Sequence, residues 1–178
     1  DRSPSRGLGD VYKRQSMIRP LVVLFLLGGL QGAIGWIMVA SGLVGDAVYV
    51  KPTKLALHFI FAIGLLAYTF WFALLLKVKT IYEYDGFEHM KMATKNKISS
   101  LRKIAWVLII LLTLQLIYGA LMAGHKAANV ASTWPTINGA WWPNGLTTDS
   151  SFFLNAVDNT IWIHFVHRGL AYLIALII

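Results

Sequence analysis

Long apolar runs dominate the hydrophobic pattern of this chain. They cover residues 20–45, 55–76, 104–125 and 159–178. Each run is close to or longer than the roughly 20 residues that a helix needs to cross about 30 Å of hydrocarbon. In lipid the backbone must satisfy its own hydrogen bonds, so each run is expected to be an α-helix. The pattern predicts an all-α membrane protein with four transmembrane helices, and it disfavours the buried helices of a large soluble protein.

The charged residues lie mainly between these runs and indicate a topology. Residues 77–103 contain seven Lys or Arg against three Asp or Glu. By the positive-inside rule this loop faces the cytoplasm or the mitochondrial matrix. The loops 46–54 and 126–158 then face outward. The longer of the two contains Trp134, Trp141 and Trp142, which favour an ordered cap at the membrane surface.

Composition narrows the chemistry further. Of the 178 residues, 57% are hydrophobic and 13% charged, and the mean hydropathy is +0.61. The net charge is +8. The charged residues lie beside the apolar runs, so they indicate a membrane topology and no nucleic-acid partner. The chain has no cysteine, which excludes disulfides, thiolate metal sites, a cysteine nucleophile and c-type haem attachment within it. Motifs for nucleotide hydrolysis, zinc proteolysis and triad hydrolysis do not occur.

The two ends of the sequence differ from the rest. Residues 1–16 lie before the first apolar run, and the polar stretch up to Gln15 resembles a translated sequencing-library adapter, with a short cytoplasmic tail as the alternative. At the other end, Ile178 lies inside an apolar run with no cap or charge after it. We therefore expect an internal fragment of a longer gene, in which residues 1–16 are not part of the fold.

Two histidines stand out inside the predicted spans. His58 lies in the second run and His167 in the fourth. An ionisable residue is costly in a membrane helix unless it is neutral, paired or ligated, so both are functional-site candidates. A neutral imidazole in an apolar, aromatic pocket is suited to axial ligation of haem iron. The alternative for each histidine is a hydrogen bond to a neighbouring helix.

Other polar residues near the spans are weaker candidates. His164 and His167 are three residues apart and could share a metal ion, but no third ligand lies within the spans. Arg168 could pair with an anion such as a haem propionate; the alternatives are snorkelling or pairing with Asp158. The remaining histidines are expected to be exposed or bonded to a loop: His89 and His125.

Spans one and three share a short pattern. Four positions recur at the same offsets: Leu30, Gln31, Gly35 and Met38 against Leu114, Gln115, Gly119 and Met122. The span after each of them contains a histidine with an alanine four residues later. The pattern suggests a duplicated helix pair, with chance similarity as the alternative. The two glutamines at mid-depth are expected to hydrogen-bond between helices.

Four segments, in order and spacing, resemble the haem A synthase family. They are GLQGAIGWIMV at 29–39 with SGL at 41–43, KLALH at 54–58, GALMAG at 119–124 with TWP at 133–135 and Gly139, and FVHRGLAY at 165–172. The resemblance covers residues 17–178 and places them at helices three to six of the family's eight. One departure is His164, where the family tends to have glutamine. That leaves open which histidine is the ligand, although the residues after His167 favour it.

The resemblance implies a duplicated architecture of two four-helix bundles, each holding a haem between two histidines. Residues 17–76 would be the second half of the amino-terminal bundle, 77–103 the basic inner loop, and 104–178 the first half of the carboxyl-terminal bundle. His58 then matches an axial ligand of the substrate haem. His167 matches a ligand of haem b, beside Arg168 as a candidate propionate partner. The partner histidines and a catalytic glutamate are expected on helices outside this sequence, so no catalytic residue is assigned within it.

The implied activity is oxidation of the C8 methyl group of haem O to the formyl group of haem A, for cytochrome oxidase assembly. Haem b would be the cofactor and molecular oxygen the oxidant. The implied partners are haem O synthase, an electron donor such as a ferredoxin, oxidase assembly factors, membrane lipid and further copies of the chain. The implied location is the bacterial cytoplasmic membrane or the mitochondrial inner membrane, and the fragment alone is expected to be inactive. The alternatives are a bis-histidine cytochrome b-type electron carrier and a non-enzymatic assembly factor.

Overall fold

The computed structural model describes residues 4–42, 45, 48–77 and 92–178. This part of the chain forms five α-helices and one 3-10 turn at Ala127–Val130. The helices are α1 (Pro4–Ala40), α2 (Pro52–Lys77), α3 (Met92–Gly124), α4 (Phe152–Asp158) and α5 (Thr160–Ile177). Four segments are long and apolar enough to cross a membrane: Met17–Ala40, Pro52–Lys77, Asn96–Gly124 and Thr160–Ile177. The predicted all-α architecture with four spans is confirmed, whereas the eight-helix duplication stays a prediction.

Helix boundaries differ from the limits of the apolar runs. α3 begins at Met92, so residues 92–103, predicted as part of the inner loop, are helical. Lys, Arg, Met and Leu favour a helix in water as well as in lipid, and charge therefore marks the edge of the hydrocarbon, not the end of the helix. Residues 78–91, including His89, lie outside the described residues. The sidedness of the loops stays a prediction.

The first span ends earlier than its apolar run. α1 stops at Ala40, and the chain then folds back so that the Tyr49 carbonyl lies directly against Gly42. A side chain at position 42 would overlap that carbonyl, which makes glycine necessary at this return. Ser41 supports the same return, because its hydroxyl donates to Met38 O at 2.6 Å and accepts from Lys51 N at 3.2 Å.

The outer loop has more regular structure than its sequence predicted. Between residues 126 and 158 the chain forms the 3-10 turn and the short helix α4. Asn159 separates α4 from α5 and caps the latter, since its Oδ1 accepts from the backbone N–H groups of Ile161 at 3.0 Å and Trp162 at 3.2 Å. Its Nδ2 donates to Gly145 O at 2.8 Å, which fixes the loop to the start of α5.

The spanning helices pack as two pairs joined through the middle. α1 packs on α2, α3 packs on α5, and α2 packs on α3. The buried cluster at the junction consists mainly of small residues: Ala56, Ala120, Leu121, Ala127 and Ile163. Small residues allow close approach of helix backbones in lipid, where apolar burial does not itself drive association. Large apolar side chains such as Phe25, 80% exposed, cover the outside, as expected for a surface that faces lipid.

We predict that Gly124→Ala destabilises the junction between the pairs. A Cβ at Gly124 would lie 2.8 Å from Pro52 Cβ and 2.9 Å from Pro52 Cα, and the proline ring cannot rotate away. The expected loss is about 1–3 kcal/mol, typical of overpacking, measured as thermal unfolding in detergent. The matched control is Gly64→Ala on α2, which has nothing within 4 Å of its added Cβ and should be neutral or slightly stabilising. Equal melting temperatures for the two variants would contradict the prediction.

Candidate functional site

His58 projects from α2 towards α1, where Gln31 and Gly35 lie one turn apart. The amide nitrogen of Gln31 is 3.1 Å from His58 Nδ1, 3.4 Å from His58 Nε2 and 3.1 Å from the backbone carbonyl oxygen of His58. A Cβ on Gly35 would lie 2.9 Å from Cε1 of the same ring. The imidazole is therefore held between the glutamine amide and the bare backbone of Gly35.

The second helix pair repeats this arrangement around His167. On α3 the amide nitrogen of Gln115 is 3.3 Å from His167 Nε2, and a Cβ on Gly119 would lie 3.2 Å from His167 Cε1. The glutamine and glycine again lie four residues apart on the preceding helix. The two glutamines hydrogen-bond between helices, as the sequence predicted, and the recurring pattern is a recurring contact in three dimensions.

His167 also has a nitrogen free for a ligand. Its Nδ1 is buried and has no hydrogen-bond partner among the described residues. A buried polar atom without a partner costs roughly 1–3 kcal/mol, so such an atom calls for an explanation such as an absent ligand. Together with the glycine beside the ring, this atom could hold a haem iron in the tautomer whose hydrogen is on Nε2.

Both ring nitrogens of His164 have hydrogen-bond partners. Its side chain is buried, and its Nδ1 donates to Ala127 O at 3.1 Å. Its Nε2 accepts from Arg168 Nη2 at 2.8 Å, because arginine can only donate. Both ring nitrogens are engaged, and a metal shared by His164 and His167 has no support. In the part of the chain that the structure describes, no three His, Asp or Glu side chains group as a metal site.

Arg168 binds the outer loop. Its Nη1 donates to the carbonyl oxygens of Thr133 at 2.8 Å and Thr136 at 2.7 Å. With the bond to His164, these contacts use three of the five N–H donors of a guanidinium. Asp158, the alternative partner weighed from the sequence, lies instead 3.7 Å from His125 Nε2. A role for Arg168 towards a haem propionate stays a prediction, and it would depend on the two remaining donors.

One face of α5 carries a row of such anchors, which the sequence analysis missed. His164, Arg168 and Tyr172 follow one another at intervals of four residues, and the Tyr172 hydroxyl donates to Pro135 O at 2.9 Å. Tyr172 is twelve residues into α5, which at 1.5 Å per residue places Pro135 about 18 Å along the helix. The loop therefore runs back along the helix. The i, i+4, i+8 spacing of polar residues was the signal that could have predicted it.

The last described histidine is bonded to the loop, as expected. His125 Nε2 donates to Val157 O at 2.8 Å and so ties the end of α3 to the end of α4. It has no part in the two histidine arrangements.

The residues present fit one side of a haem at each of two positions. Each position offers an imidazole against a glycine of the neighbouring helix. Among the described residues each could supply one imidazole to a haem, since His58 and His167 lie in separate helix pairs, each with its own glutamine. Two-sided ligation would need a further side chain at each position.

The comparisons with known proteins agree with one another. The sequence profile of the COX15-CtaA family, described as "Cytochrome oxidase assembly protein", matches residues 8–178. The chain is 40% identical over 159 residues to the heme A synthase of Methylorubrum populi, covering 88% of this chain and 38% of that protein. It is 39% identical over 161 residues to that of Cereibacter sphaeroides, covering 85% and 39%. It is also 39% identical over 158 residues to that of Rhodospirillum centenum, covering 89% and 39%.

The chain spans about two fifths of the length of these curated relatives. No solved structure matches it. Its four membrane-spanning helices and its bacterial relatives make it a multi-pass bacterial membrane protein. A profile match over nearly all of its residues shows that the chain belongs to the COX15-CtaA family of cytochrome oxidase assembly proteins.

Proposed function

We propose that this chain is part of a haem A synthase, which oxidises the C8 methyl group of haem O to a formyl group. The observation that carries the proposal is the repeated contact of a glutamine, a glycine and a histidine in two helix pairs. One such site would suffice for a simple electron carrier. Two such sites are what a reaction needs when one haem is the substrate and a second haem stays bound.

Each histidine has a role in this proposal. His58 would hold the substrate haem, and the contact with Gly35 sets the direction of its ring. His167 would hold haem b through the nitrogen that Gln115 does not engage, with the ring hydrogen on the other nitrogen. Haem b, when bound, supplies one-electron redox chemistry. Arg168 holds the loop against the helix that carries His167.

The proposal also implies partners. Haem O is the product of another enzyme, so a haem O synthase supplies the substrate. Conversion of a methyl to a formyl group consumes molecular oxygen and electrons, so an electron donor such as a ferredoxin is required. Haem A passes on to cytochrome oxidase assembly factors, which agrees with the family description. We place these steps in the bacterial cytoplasmic membrane, with lipid around the apolar exterior, and we include homo-oligomer formation in the proposal.

We predict that His58→Ala and His167→Ala each abolish haem A formation. The gene product that contains this sequence is expressed in a host without its own haem A synthase, and haems extracted from the membranes are separated by chromatography. Without the imidazole the iron has no axial ligand from this chain, so haem A should fall at least tenfold. His125→Ala, which removes only a loop contact, is the control and should retain haem A.

Two results would count against the proposal. If haem A persists in both histidine variants, the protein makes haem A without these side chains, and the roles proposed for His58 and His167 are wrong. If the unmodified protein binds haem b but the membranes contain no haem A, the chain is part of a cytochrome b-type electron carrier.

We predict that Gly35→Ala and Gly119→Ala weaken haem binding, the first more than the second. The added Cβ would lie 2.9 Å from Cε1 of His58 in one case and 3.2 Å from Cε1 of His167 in the other. Each ring must turn to avoid the added methyl group, which changes the direction of its nitrogen atoms. Overpacking of about 1–3 kcal/mol corresponds to roughly fivefold to 150-fold weaker binding at position 35. Haem content per protein, from the Soret band and the pyridine haemochrome, measures the effect.

The control for both glycines is Gly32→Ala. It lies on α1 between Gln31 and Gly35, and nothing lies within 4 Å of its added Cβ. Its haem content should match that of the unmodified protein. A loss in Gly32→Ala as large as that in Gly35→Ala would mean that the effect is general to the helix and unrelated to the imidazole.

A further inference from the structure

The contact between Gln31 and His58 has a definite donor. The amide nitrogen of Gln31 lies 3.1 Å from the backbone carbonyl oxygen of His58, an atom that can only accept. That contact identifies the amide atom facing His58 as nitrogen and not oxygen. The amide has two N–H groups, and the second points at the imidazole, with Nδ1 at 3.1 Å and Nε2 at 3.4 Å. The ring nitrogen that faces Gln31 must therefore be an acceptor.

This acceptor is the same atom that iron would use. A neutral imidazole has one nitrogen with a lone pair, and the other carries hydrogen. Once iron takes the lone pair, the ring has one nitrogen bound to metal and one N–H, so no acceptor remains. The bond from Gln31 to the ring and the bond from the ring to iron exclude each other, whichever ring nitrogen is involved.

We propose that Gln31 is a positioning residue. Its amide donates a hydrogen bond to the lone pair of His58 while no haem is bound, and this hydrogen bond breaks when haem binds. The inference rests on the proposed function, in which His58 ligates the substrate haem. A half-buried imidazole in an apolar environment without a partner would destabilise the empty site. The glutamine stabilises that empty site and lowers the affinity for haem by the same amount, which suits a site whose haem must leave after each reaction.

The contact between Gln115 and His167 differs from the contact between Gln31 and His58. Gln115 makes a single contact with His167, at 3.3 Å, and no backbone carbonyl identifies which amide atom faces the ring. His167 also keeps a buried nitrogen without a partner among the described residues. Iron can bind Nδ1 with the glutamine in place when the amide oxygen of Gln115 faces the ring and accepts from the Nε2 hydrogen. At His58 the backbone carbonyl holds the amide nitrogen towards the ring, so we expect the competition at that position, which the proposed function assigns to the exchangeable haem.

The experiment is a titration with ferric haem b of the gene product that contains this sequence. It is carried out in detergent with His167→Ala present, so that the His58 position is the one observed, and binding is followed by the Soret band. We expect Gln31→Leu to lower the Kd about threefold to tenfold, the equivalent of one lost hydrogen bond in the empty site. Leucine fills a similar volume and has no atom that binds iron. Haem dissociation should slow by a similar factor.

Two further variants keep the result interpretable. Gln31→Asn retains the amide on a shorter side chain that cannot reach the ring. This variant should also bind haem more tightly than the unmodified protein. It tests the same prediction if the leucine variant misfolds. Thr113→Val, in the same His167→Ala background, removes only an exposed hydroxyl that donates to Ile109 O on α3, and it should leave the Kd unchanged. A structural role for Gln31 would move the Kd in the opposite direction.

The outcomes separate the two proposals. If His58→Ala combined with His167→Ala binds haem as well as His167→Ala alone, His58 is not a ligand and the proposed function fails at this position. If that double variant loses haem binding but Gln31→Leu and Gln31→Asn bind haem equally or more weakly than the unmodified glutamine, the proposed function stands. In that case the competition by Gln31 is overturned.

Discussion

An imidazole in an apolar helix bundle needs a hydrogen-bond partner, and the arrangement of this chain follows from that constraint. Lipid and apolar side chains offer His58 no polar group, so the partner must come from the adjacent helix. Gln31 supplies it, and Gly35 one turn later leaves room for the ring. Gln115 and Gly119 repeat the solution for His167. The pairing of α1 with α2 and of α3 with α5 places these groups opposite each other.

Two histidines that are close in sequence on α5 make different contacts. His167 faces α3 and its glutamine, whereas His164, one turn earlier, bonds to Ala127 and Arg168. Successive residues of a helix are rotated by about 100°, so three positions return to a similar but not identical direction. That difference directs the imidazole of His167 towards α3 and the imidazole of His164 towards the loop. The loop in turn gives Arg168 backbone carbonyls as partners at a depth where water is scarce.

The four spans, the two intramembrane histidines and the bridging role of the glutamines could all be predicted from the sequence. Each depends on a local property: run length, charge, or the cost of a polar group in hydrocarbon. The sequence did not predict that residues 92–103 of the basic inner segment 77–103 are helical and belong to α3. The return of the outer loop along α5 was not predicted. Every residue has a backbone carbonyl, so the sequence does not indicate which carbonyls accept from Arg168 or Tyr172. The position of haem on His58 and His167 stays a prediction.

The sequence by itself determined that this chain spans a membrane and that its histidines need partners, since hydropathy and desolvation act on each residue regardless of its neighbours. It also contained both copies of the glutamine and glycine pattern. Only the tertiary structure decided which histidine each glutamine bonds and that His164 is fully engaged. Only the structure placed the amide nitrogen of Gln31 against both the ring and the backbone carbonyl of His58. Those outcomes depend on the rotation and depth of one helix against another, and such geometry arises only when the helices pack.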